Sequence, residues 1–344
     1  MAGKDAGQAL DEEKCNIPIF ADLDNALDKL SDIPDCYIYG KAPLETFIPN
    51  EERHLIMDAM RQGMDIISGL HQFFSDDPEL TDIAALNGVQ IKDIRKSPPL
   101  KDLHLFTGKI SEVNVPVIAV LGTDCACGKM TTAVELNKIL NNIGIKSVLV
   151  ATGQTSLMQG AKYGVTTDAL VSQFVVGEIE NSVVQAFRNE KPDIILVEGQ
   201  SAISHPAFMS SIGILKGSMP DGVILQHPPA RKFRCDFPAL PMPTPDSEIK
   251  LIETISKTKV IAIALSHEDM NEKEVLEVID NYEQQFKLPT TDILSSGCQK
   301  LVQALSDQFP KLKQKIKIEN SKLFLNKQIK GSNRLEGIDE FIHA

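Results

Sequence analysis

Five short apolar runs in the second part of the chain constrain its fold more than any other feature of the sequence. Their centres are rich in Val, Ile and Leu and lack the polar–apolar alternation of a half-exposed strand. Continuous runs of this kind indicate strands that are covered on both faces. Segments with helical spacing separate the runs, which predicts a doubly wound parallel α/β sheet. The runs are VPVIAVL (115–121), KSVLVAT (146–152), DIILVEG (193–199), DGVILQH (221–227) and KVIAIALS (259–266).

The first hundred residues alternate in the same way on a smaller scale. Compact apolar runs at 17–21, 36–40, 64–70 and 89–94 are predicted strands. This favours a second doubly wound domain, Rossmann-like, with a parallel sheet. No Gly-x-Gly-x-x-Gly fingerprint occurs in this part of the sequence, so NAD binding has no support. The predicted helices are LDNALDKLSD (23–32), NEERHLIMDAMRQG (50–63) and PELTDIAALNG (78–88).

The length of 344 residues suits two domains. A proline-bearing connector precedes the first long apolar run, and we place the boundary near Lys109. The prediction is a Rossmann-like domain over 1–109 and a P-loop NTPase-like domain over 110–309. The remaining residues, 310–344, form a Lys-rich tail that we expect to be a solvated helix or a frayed end.

The loop after the first long apolar run has the composition of a phosphate site. The segment VPVIAVLGTDCACGKMTTAVELNKIL reads as strand, glycine-bounded loop, lysine and helix. Small residues let backbone N–H groups converge on an anion, and the helix N-terminus adds partial positive charge. We therefore predict that this loop binds phosphate. The predicted ligand-binding residues are Gly122, Thr123, Asp124, Cys125, Ala126, Cys127, Gly128, Lys129, Met130, Thr131, Thr132 and, after the next strand, Gln154.

The loop departs from a standard Walker A motif in a way that bears on its ligand. Five residues separate Gly122 from Gly128 instead of four, and Met130 stands where Ser or Thr holds Mg²⁺. Thr131 comes one residue late, which is a rotation of about 100° on a helix. The pattern suits a diphosphate that is held and not cleaved, as in coenzyme A, and no metal site is predicted. Mg-ATP is the alternative, because Thr131 or Thr132 could still reach a metal ion.

Three residues at predicted strand ends are candidates for chemistry. Glu198 follows DIILV and could act as a general base, or equally could cap a helix or pair with Lys129. His205 and His227 both precede proline, which places them on extended or turning backbone. Each could be catalytic or bind substrate, or could be a hydrogen-bonded structural histidine.

Amide and guanidinium groups complete the candidate set. Gln200 and Gln154 lie at strand ends, where an amide can orient a substrate or polarise a carbonyl. Arg231 lies in a segment with six prolines, 227–245, which follows a predicted strand and cannot be helical. An arginine there could hold a substrate carboxylate, or could be a solvated loop charge.

The loop itself carries a carboxylate and two thiols. We expect Asp124 to accept hydrogen bonds from backbone N–H groups and to fix the shape of the loop. Cys125 and Cys127 lie close to a helix N-terminus, which favours a reactive thiolate. Packing of small side chains in a tight loop is the interpretation we prefer for both cysteines.

Charge and composition exclude several classes of function. The formal net charge of −12 is unsuited to binding nucleic acid, which requires a basic surface. The polar, acidic N-terminus lacks the apolar core of a signal peptide, and no apolar run is long enough to span a membrane. The six cysteines are scattered and show no zinc spacing. We expect a cytoplasmic protein that acts on a small molecule and could form a homo-oligomer.

The loop GTDCACGKMTTA resembles that of a little-annotated P-loop family whose members include the DgcN-type D-glutamate N-acetyltransferases. Further blocks follow in the order typical of that family, and together they cover roughly residues 17–305. These blocks are GMDIISGLHQFFSDDPEL (63–80), ATGQT (151–155), VEGQ (197–200), HPAF (205–208) and LQHPPAR (225–231).

The resemblance implies a Rossmann-like N-terminal domain, a P-loop C-terminal domain, acetyl-CoA as donor and an amino acid such as D-glutamate as acceptor. The chain departs from the family pattern at several places. Ser156 and Ser201 stand where the family tends to carry glycine, and Ala202 and Gln173 also differ. The N-terminal domain is shortened, without the first strand–helix unit of the family.

Three hypotheses follow. The first is an acetyl-CoA-dependent N-acetyltransferase acting on a small acidic amino acid. The second is an Mg-ATP-dependent kinase or ligase, because the loop and the VEG strand end also resemble dethiobiotin synthetase. The third is a regulator that binds CoA or a nucleotide after loss of catalysis, which the departures at Gln173, Ser201 and Ala202 would favour.

Overall fold

The computed structural model describes residues 1–10, 14–41 and 47–318. The chain divides into two compact units, one from Met1 to Pro98 and one that begins at Pro99. Both units are built around parallel β-sheets. No helix within the described ranges combines the length and the apolar character that crossing a membrane requires.

The first unit contains a small parallel sheet in the order β1-β2-β3. Ile56, Met60, Ile66, Phe74 and Leu80 are fully buried and form the centre of its core. The elements are α1 (Ala6–Leu10), α2 (Leu23–Lys29), β1 (Cys36–Tyr39), α3 (Asn50–Arg61), β2 (Asp65–Ser68), a 3₁₀ turn (Phe74–Asp76), α4 (Pro78–Asn87) and β3 (Ile91–Asp93).

Local sequence signals account for most of these elements. In α4, the Asp77 side chain accepts from the N–H groups of Glu79 and Leu80, and Gly88 ends the helix with a φ of 68°. The strand predicted over 17–21 is wrong. This segment forms only an isolated bridge between Asp5 and Pro18, because proline cannot donate to a ladder and the neighbouring Ile17 is exposed.

The second unit is a larger parallel sheet in the order β10-β9-β8-β4-β7-β5-β6. Two 3₁₀ turns, Leu100–Asp102 and Lys109–Glu112, precede it. The elements are β4 (Val117–Gly122), α5 (Lys129–Asn142), β5 (Ser147–Ala151), α6 (Gln154–Met158), β6 (Tyr163–Gly164), α7 (Ser172–Glu190), β7 (Ile194–Glu198), α8 (Ser210–Ser218), β8 (Gly222–His227), α9 (Pro245–Ser256), β9 (Val260–Leu265), α10 (Glu272–Phe286), β10 (Thr290–Asp292), α11 (Ile293–Ser296) and α12 (Gln299–Gln308).

Both faces of this sheet are covered, so the predicted doubly wound fold is confirmed. All six residues of β4 are buried. Ile118 and Val120 pack in a core that includes α5 and α12, whereas Ala119 and Leu121 pack in a second core with α7 and α8. The five predicted strands are all present. The sequence analysis missed β6 and β10, which have two and three residues, because neither forms an apolar run.

The beginning of the C-terminal tail packs against this unit. Residues 310–318 are helical, and Leu312 and Ile316 are buried in the core that α12 covers. Lys315 Nζ also lies 2.5 Å from Asp193 Oδ2. The prediction of a helix is therefore confirmed for this part, but one face of the helix is packed, so full solvation and fraying are wrong; residues 319–344 lie outside the described residues.

The sheet order determines where the candidate residues meet. Strand β4 lies between β7 and β8, and all three run in the same direction. The loop after β4, Glu198 at the end of β7 and His227 at the end of β8 therefore lie at one edge of the sheet. This carboxyl edge is where parallel α/β sheets bind ligands.

Candidate functional site

The loop between β4 and α5 has a backbone path that requires small residues. A Cβ on Gly122 would lie 2.8 Å from both Cys127 Sγ and Lys129 Cδ. Gly128 has a φ of 101°, in the left-handed region that favours glycine. Ala126 also has a left-handed φ, 44°, which is uncommon for a residue with a side chain. The loop is thus a tight turn that folds back on its own side chains.

Backbone N–H groups at the end of this loop are available to an anion. Within the described ranges, no protein acceptor pairs with the N–H groups of Ala126, Gly128 or Lys129. They lie at or just before the N-terminus of α5, where the helix dipole favours negative charge. Successive N–H groups around a left-handed residue form a nest that binds anions. We call the N–H groups of Ala126, Gly128 and Lys129 the cradle, and their arrangement fits phosphate oxygens.

Lys129 adds a full positive charge to this cradle. Its side chain is buried inside the loop, and Nζ donates to the carbonyl oxygen of Asp124 at 2.5 Å. Nζ also lies 3.6 Å from Cys127 Sγ. Cys127 is itself buried, with its thiol turned towards the Asp124 carbonyl at 3.2 Å. The Lys129 side chain therefore lies against the loop. A ligand anion that replaces the Asp124 carbonyl as the acceptor could bind Nζ.

Asp124 ties the loop to the proline-rich segment. Its carboxylate is fully buried and accepts from Arg231 Nη1 and from the Cys235 N–H, both at 2.9 Å. Arg234 Nη1 approaches from the other side at 3.4 Å. Burial opposes ionisation, but the bonds from Cys235 and Arg231 outweigh it and hold the pKa of Asp124 below its ordinary value. The Asp124 carboxylate is therefore an anion that these bonds hold in a fixed position.

Arg231 uses every N–H of its guanidinium within the protein. Nη1 donates to Asp124 Oδ2 and to the Cys125 carbonyl, and Nη2 donates to the Ala126 carbonyl at 3.0 Å. Nε and Nη2 donate to the two carboxylate oxygens of Glu268, each at 2.7 Å. A guanidinium has five N–H groups, so none remains for a substrate carboxylate, which was one of the two roles considered for Arg231. The other role, a solvated loop charge, is wrong as well, because all five groups have protein acceptors. In this structure Arg231 holds the loop.

Hydroxyl groups near the loop bind the neighbouring strand β8. Thr123 Oγ1 lies 2.8 Å from His227 Nδ1. Thr132 Oγ1 donates to Gln226 Oε1 at 2.6 Å and is fully buried. Met130 and Thr131 are half-buried in the first turn of α5. The Thr132 hydroxyl is thus committed to the sheet, which leaves Thr131 as the hydroxyl at the helix start that could approach a metal ion.

His227 supports the loop from the end of β8. Its ring is buried beside Tyr282, with centroids 6.0 Å apart. Burial, and to a smaller extent the charge of Arg231, lower the pKa of His227 to about 4. The imidazole is neutral at pH 7, and its contact with Thr123 makes it a structural partner of the loop.

Glu198 is a buried carboxylate at the end of β7. Oε2 accepts from the N–H groups of Thr152, at 2.9 Å, and Gly153, at 3.3 Å. Burial raises the pKa of Glu198 despite these bonds. Gln200 Nε2 lies 3.4 Å from Thr152 Oγ1, and Gln154 begins α6 directly after Gly153. The structure thus groups Glu198, Gln200 and Gln154 around the end of β5.

His205 lies on the other side of the loop. Its side chain is buried and stacked on Phe208, with centroids 4.7 Å apart. Nε2 lies 3.8 Å from Asp124 Oδ1, from Cys125 Sγ and from Asp236 Oδ2. Burial and the charge of Arg234 lower its pKa, and burial raises the pKa of the Cys125 thiol. A neutral imidazole and an un-ionised thiol therefore face each other at the loop.

Asp124, Cys125 and His205 have the donor atoms of a metal site, with the three atoms within 4.8 Å of one another. The Ala207 N–H donates to His205 Nδ1 at 3.3 Å, so the ring proton of the neutral imidazole lies on Nε2, the atom that faces the cluster. Arg234 and Arg231 already neutralise the carboxylate. Because other protein groups already contact or neutralise these side chains, we interpret the cluster as a structural contact and not as a metal site.

Sequence reasoning missed three polar residues that hold the loop, either directly or through another side chain. Arg234 is buried and donates from Nη2 to Ser204 Oγ at 2.8 Å as well as facing Asp124. Glu268 follows β9 and grips Arg231. Gln226 binds Thr132 and lies next to Gly128. A buried polar residue in the run DGVILQH was a signal for Gln226, whereas nothing local in the sequence marks Glu268.

Family models match both units of the chain. A domain of unknown function described as the DUF1611_C P-loop domain matches residues 104–302, and the DUF1611_N Rossmann-like domain matches residues 1–97. The chain belongs to the DUF1611 family. This confirms the resemblance and the two-domain α/β fold class drawn from the sequence.

Two proteins with a named activity are similar in sequence to this DUF1611 chain. A D-glutamate N-acetyltransferase of Tritonibacter scottomollicae is 30% identical over 268 residues, 75% of this chain and 77% of the relative. A D-glutamate N-acetyltransferase of Pseudoalteromonas sp is 28% identical over 254 residues, 72% and 74% of the two chains. The crystal structure of a DUF1611 family protein from Anabaena variabilis superposes with a TM-score of 0.80 at 28% identity, covering 89% of this chain and 88% of that one.

The positions at which this DUF1611 chain departs from the family pattern differ in their surroundings. Ser201, one of these positions, has a φ of 35°, a left-handed conformation that glycine adopts more readily than serine. Ser156 and Ala202 are buried close to the strand ends. Gln173 is exposed on the first turn of α7. Three of the four departures therefore lie where they can alter the shape of the site.

Proposed function

We propose that this protein is an acetyl-CoA-dependent N-acetyltransferase that acts on a small acidic amino acid such as D-glutamate. The observation that carries the proposal is the cradle of unpaired N–H groups with Lys129 at the start of α5. Met130 replaces the hydroxyl that holds Mg²⁺ in Walker A loops, and the Thr132 hydroxyl is bound to Gln226. Such a loop suits a diphosphate that is bound without being cleaved.

The named relatives support the reaction class. Both carry the name D-glutamate N-acetyltransferase and align with about three quarters of this chain. The acyl group comes from the thioester of acetyl-CoA. The neutral amine nitrogen forms an amide bond to the acetyl carbon while the C–S bond of the thioester breaks, and CoA leaves as the free thiol. The acceptor amine must therefore lose its extra proton, and the donor must be held in line with it.

We assign to Glu198 the removal of the extra proton from the acceptor amine. Its burial raises its pKa, which strengthens the carboxylate as a base near neutral pH. The N–H groups of Thr152 and Gly153 hold one carboxylate oxygen in a fixed orientation. Gln200, beside Thr152, offers an amide for orienting the acceptor amino acid. We expect Glu198→Gln to lower kcat far more than it changes the affinity for CoA.

Ligand-induced thermal stabilisation tests the donor. Acetyl-CoA and CoA should raise the melting temperature with and without magnesium, because binding to the native state alone stabilises it. Lys129→Ala should abolish most of this shift. The matched control is Lys138→Ala on the same helix, whose side chain is 64% exposed. A shift produced only by Mg-ATP would contradict the proposal and favour the kinase or ligase.

An acetylation assay tests the acceptor. D-glutamate and a panel of other D- and L-amino acids are incubated with acetyl-CoA, and N-acetylated products are measured by mass spectrometry. We expect acetylation of acidic amino acids, with D-glutamate as the leading substrate. Binding of CoA without acetylation of any acceptor would favour a regulator.

A further inference from the structure

The Arg231 guanidinium binds two consecutive carbonyl groups of the loop. Arg231 donates to the carbonyl groups of Cys125 and Ala126 and to the Asp124 carboxylate. Arg231 comes from the segment after β8, so these bonds join the loop to a neighbouring strand end. No other described side chain donates to both of these carbonyl groups.

Glu268 fixes the guanidinium from the opposite side. Its two carboxylate oxygens accept from Nε and Nη2, each at 2.7 Å, in a bidentate arrangement. Bidentate carboxylate–arginine pairs restrict orientation as well as adding energy. Side-chain exposure is 13% for Arg231 and 32% for Glu268, so the pair is partly shielded from solvent. Glu268 thereby determines which way Arg231 presents its remaining N–H groups.

The direction of the two carbonyl groups decides what the loop offers to a ligand. A peptide unit is planar and trans, so its N–H points opposite to its C=O. With the carbonyls of Cys125 and Ala126 turned to Arg231, the N–H groups of Ala126 and Cys127 point away from the guanidinium. The left-handed φ of Ala126, 44°, belongs to this arrangement, and it costs energy for alanine.

We infer that Glu268 and Arg231 are positioning residues that hold the loop in its anion-binding conformation for a diphosphate ligand. We call this pair the clamp. Glu268 acts through Arg231 and touches no ligand itself. The bonds from Arg231 keep carbonyl oxygens out of the cradle, where they would repel phosphate, and stabilise the strained residue Ala126. This inference rests on the proposed function for the identity of the ligand and not for the presence of an anion.

Calorimetric titration of the full chain with CoA and with inorganic pyrophosphate tests the clamp. Glu268→Gln removes the charge and places an NH₂ group against the guanidinium. It should weaken both ligands about tenfold, the effect of losing one charge-assisted hydrogen bond. The matched control is Glu112→Gln, because Glu112 also pairs with an arginine, Arg188, on the surface of the same unit. The control should bind both ligands as the wild type does.

A second substitution separates positioning from general loss of structure. Glycine adopts a left-handed φ without the cost that alanine bears. Adding Ala126→Gly to Glu268→Gln should therefore recover about threefold or more of the lost affinity. Adding it to Lys129→Ala should recover none, because that variant lacks the charge and keeps the clamp. A purely structural role for Glu268 would show no such selective recovery.

The outcomes distinguish this inference from the proposed function. Wild-type affinity in Glu268→Gln would overturn the clamp and leave the proposed function intact, and so would an absence of recovery by Ala126→Gly. Binding of pyrophosphate but not CoA by the wild type, with the variant effects preserved, would overturn the proposed function and support the clamp. Binding of neither ligand by the wild type would overturn both.

Discussion

The histidine at the end of β8 makes the stability of this protein depend on pH in a predictable direction. His227 is buried, and burial lowers its pKa from 6.5 to about 4. Above pH 6.5 the imidazole is neutral in the folded and the unfolded chain. Between the two pKa values the unfolded chain binds a proton that the folded chain does not, so the free energy of unfolding falls as the pH falls.

The size of this effect follows from the two pKa values. Each pKa unit corresponds to about 1.4 kcal/mol, so His227 removes about 3 kcal/mol of stability between pH 7 and its folded pKa of about 4. Other groups also titrate in this range, so the contribution of His227 is the difference between the wild type and His227→Asn. Asparagine retains a polar group that can reach Thr123 Oγ1 but takes up no proton.

Urea unfolding over this pH range measures the difference. At pH 7 the wild type should be the more stable protein, because asparagine loses the packing of the ring against Tyr282. The gap should shrink by about 3 kcal/mol on going to pH 4. His54→Asn, at an exposed position on α3, is the control for the loss of a histidine. A gap for His227→Asn that stays the same from pH 7 to pH 4 would show that burial does not lower the pKa of His227.

Three further predictions concern the loop and its neighbours. Gly122→Ala should weaken CoA binding strongly in calorimetry, because its Cβ would lie 2.8 Å from Lys129 Cδ and displace the lysine. Thr132→Val should lower the free energy of unfolding by about 1–3 kcal/mol, because Gln226 Oε1 loses its buried donor. Glu198→Gln should gain thermal stability relative to the wild type as the pH rises, because burial raises the pKa of Glu198 and ionisation is then unfavourable in the folded state. A pH-independent difference in melting temperature would contradict the last prediction.

The sequence predicted the fold where apolar runs were long. The strand β4 and its four counterparts are continuous Val/Ile/Leu segments, and burial on both faces leaves such segments few alternatives. It failed where burial depends on distant partners. The run at 17–21 is apolar, yet Pro18 prevents pairing on one side. In the tail, Leu312 and Ile316 pack in a core whose strands lie more than forty residues earlier in the chain.

The candidate site shows a similar division. The cradle and Lys129 were predictable because strand, loop and helix are contiguous and small residues leave the backbone exposed. The partners of Arg231 were not predictable from the sequence. Whether an arginine in an irregular segment meets solvent, a substrate or the carbonyl groups of a loop depends on contacts across 106 residues of sequence to Cys125. Glu268 acquires its role only through that contact.

The most direct test of this account is a crystal structure of the complex with coenzyme A. We expect diphosphate oxygens about 3 Å from the N–H groups of Ala126, Gly128 and Lys129. We also expect Lys129 Nζ to leave the Asp124 carbonyl and to bind the phosphate. Coenzyme A bound elsewhere, with Lys129 still on that carbonyl and the loop unoccupied, would show that this loop is not the binding site.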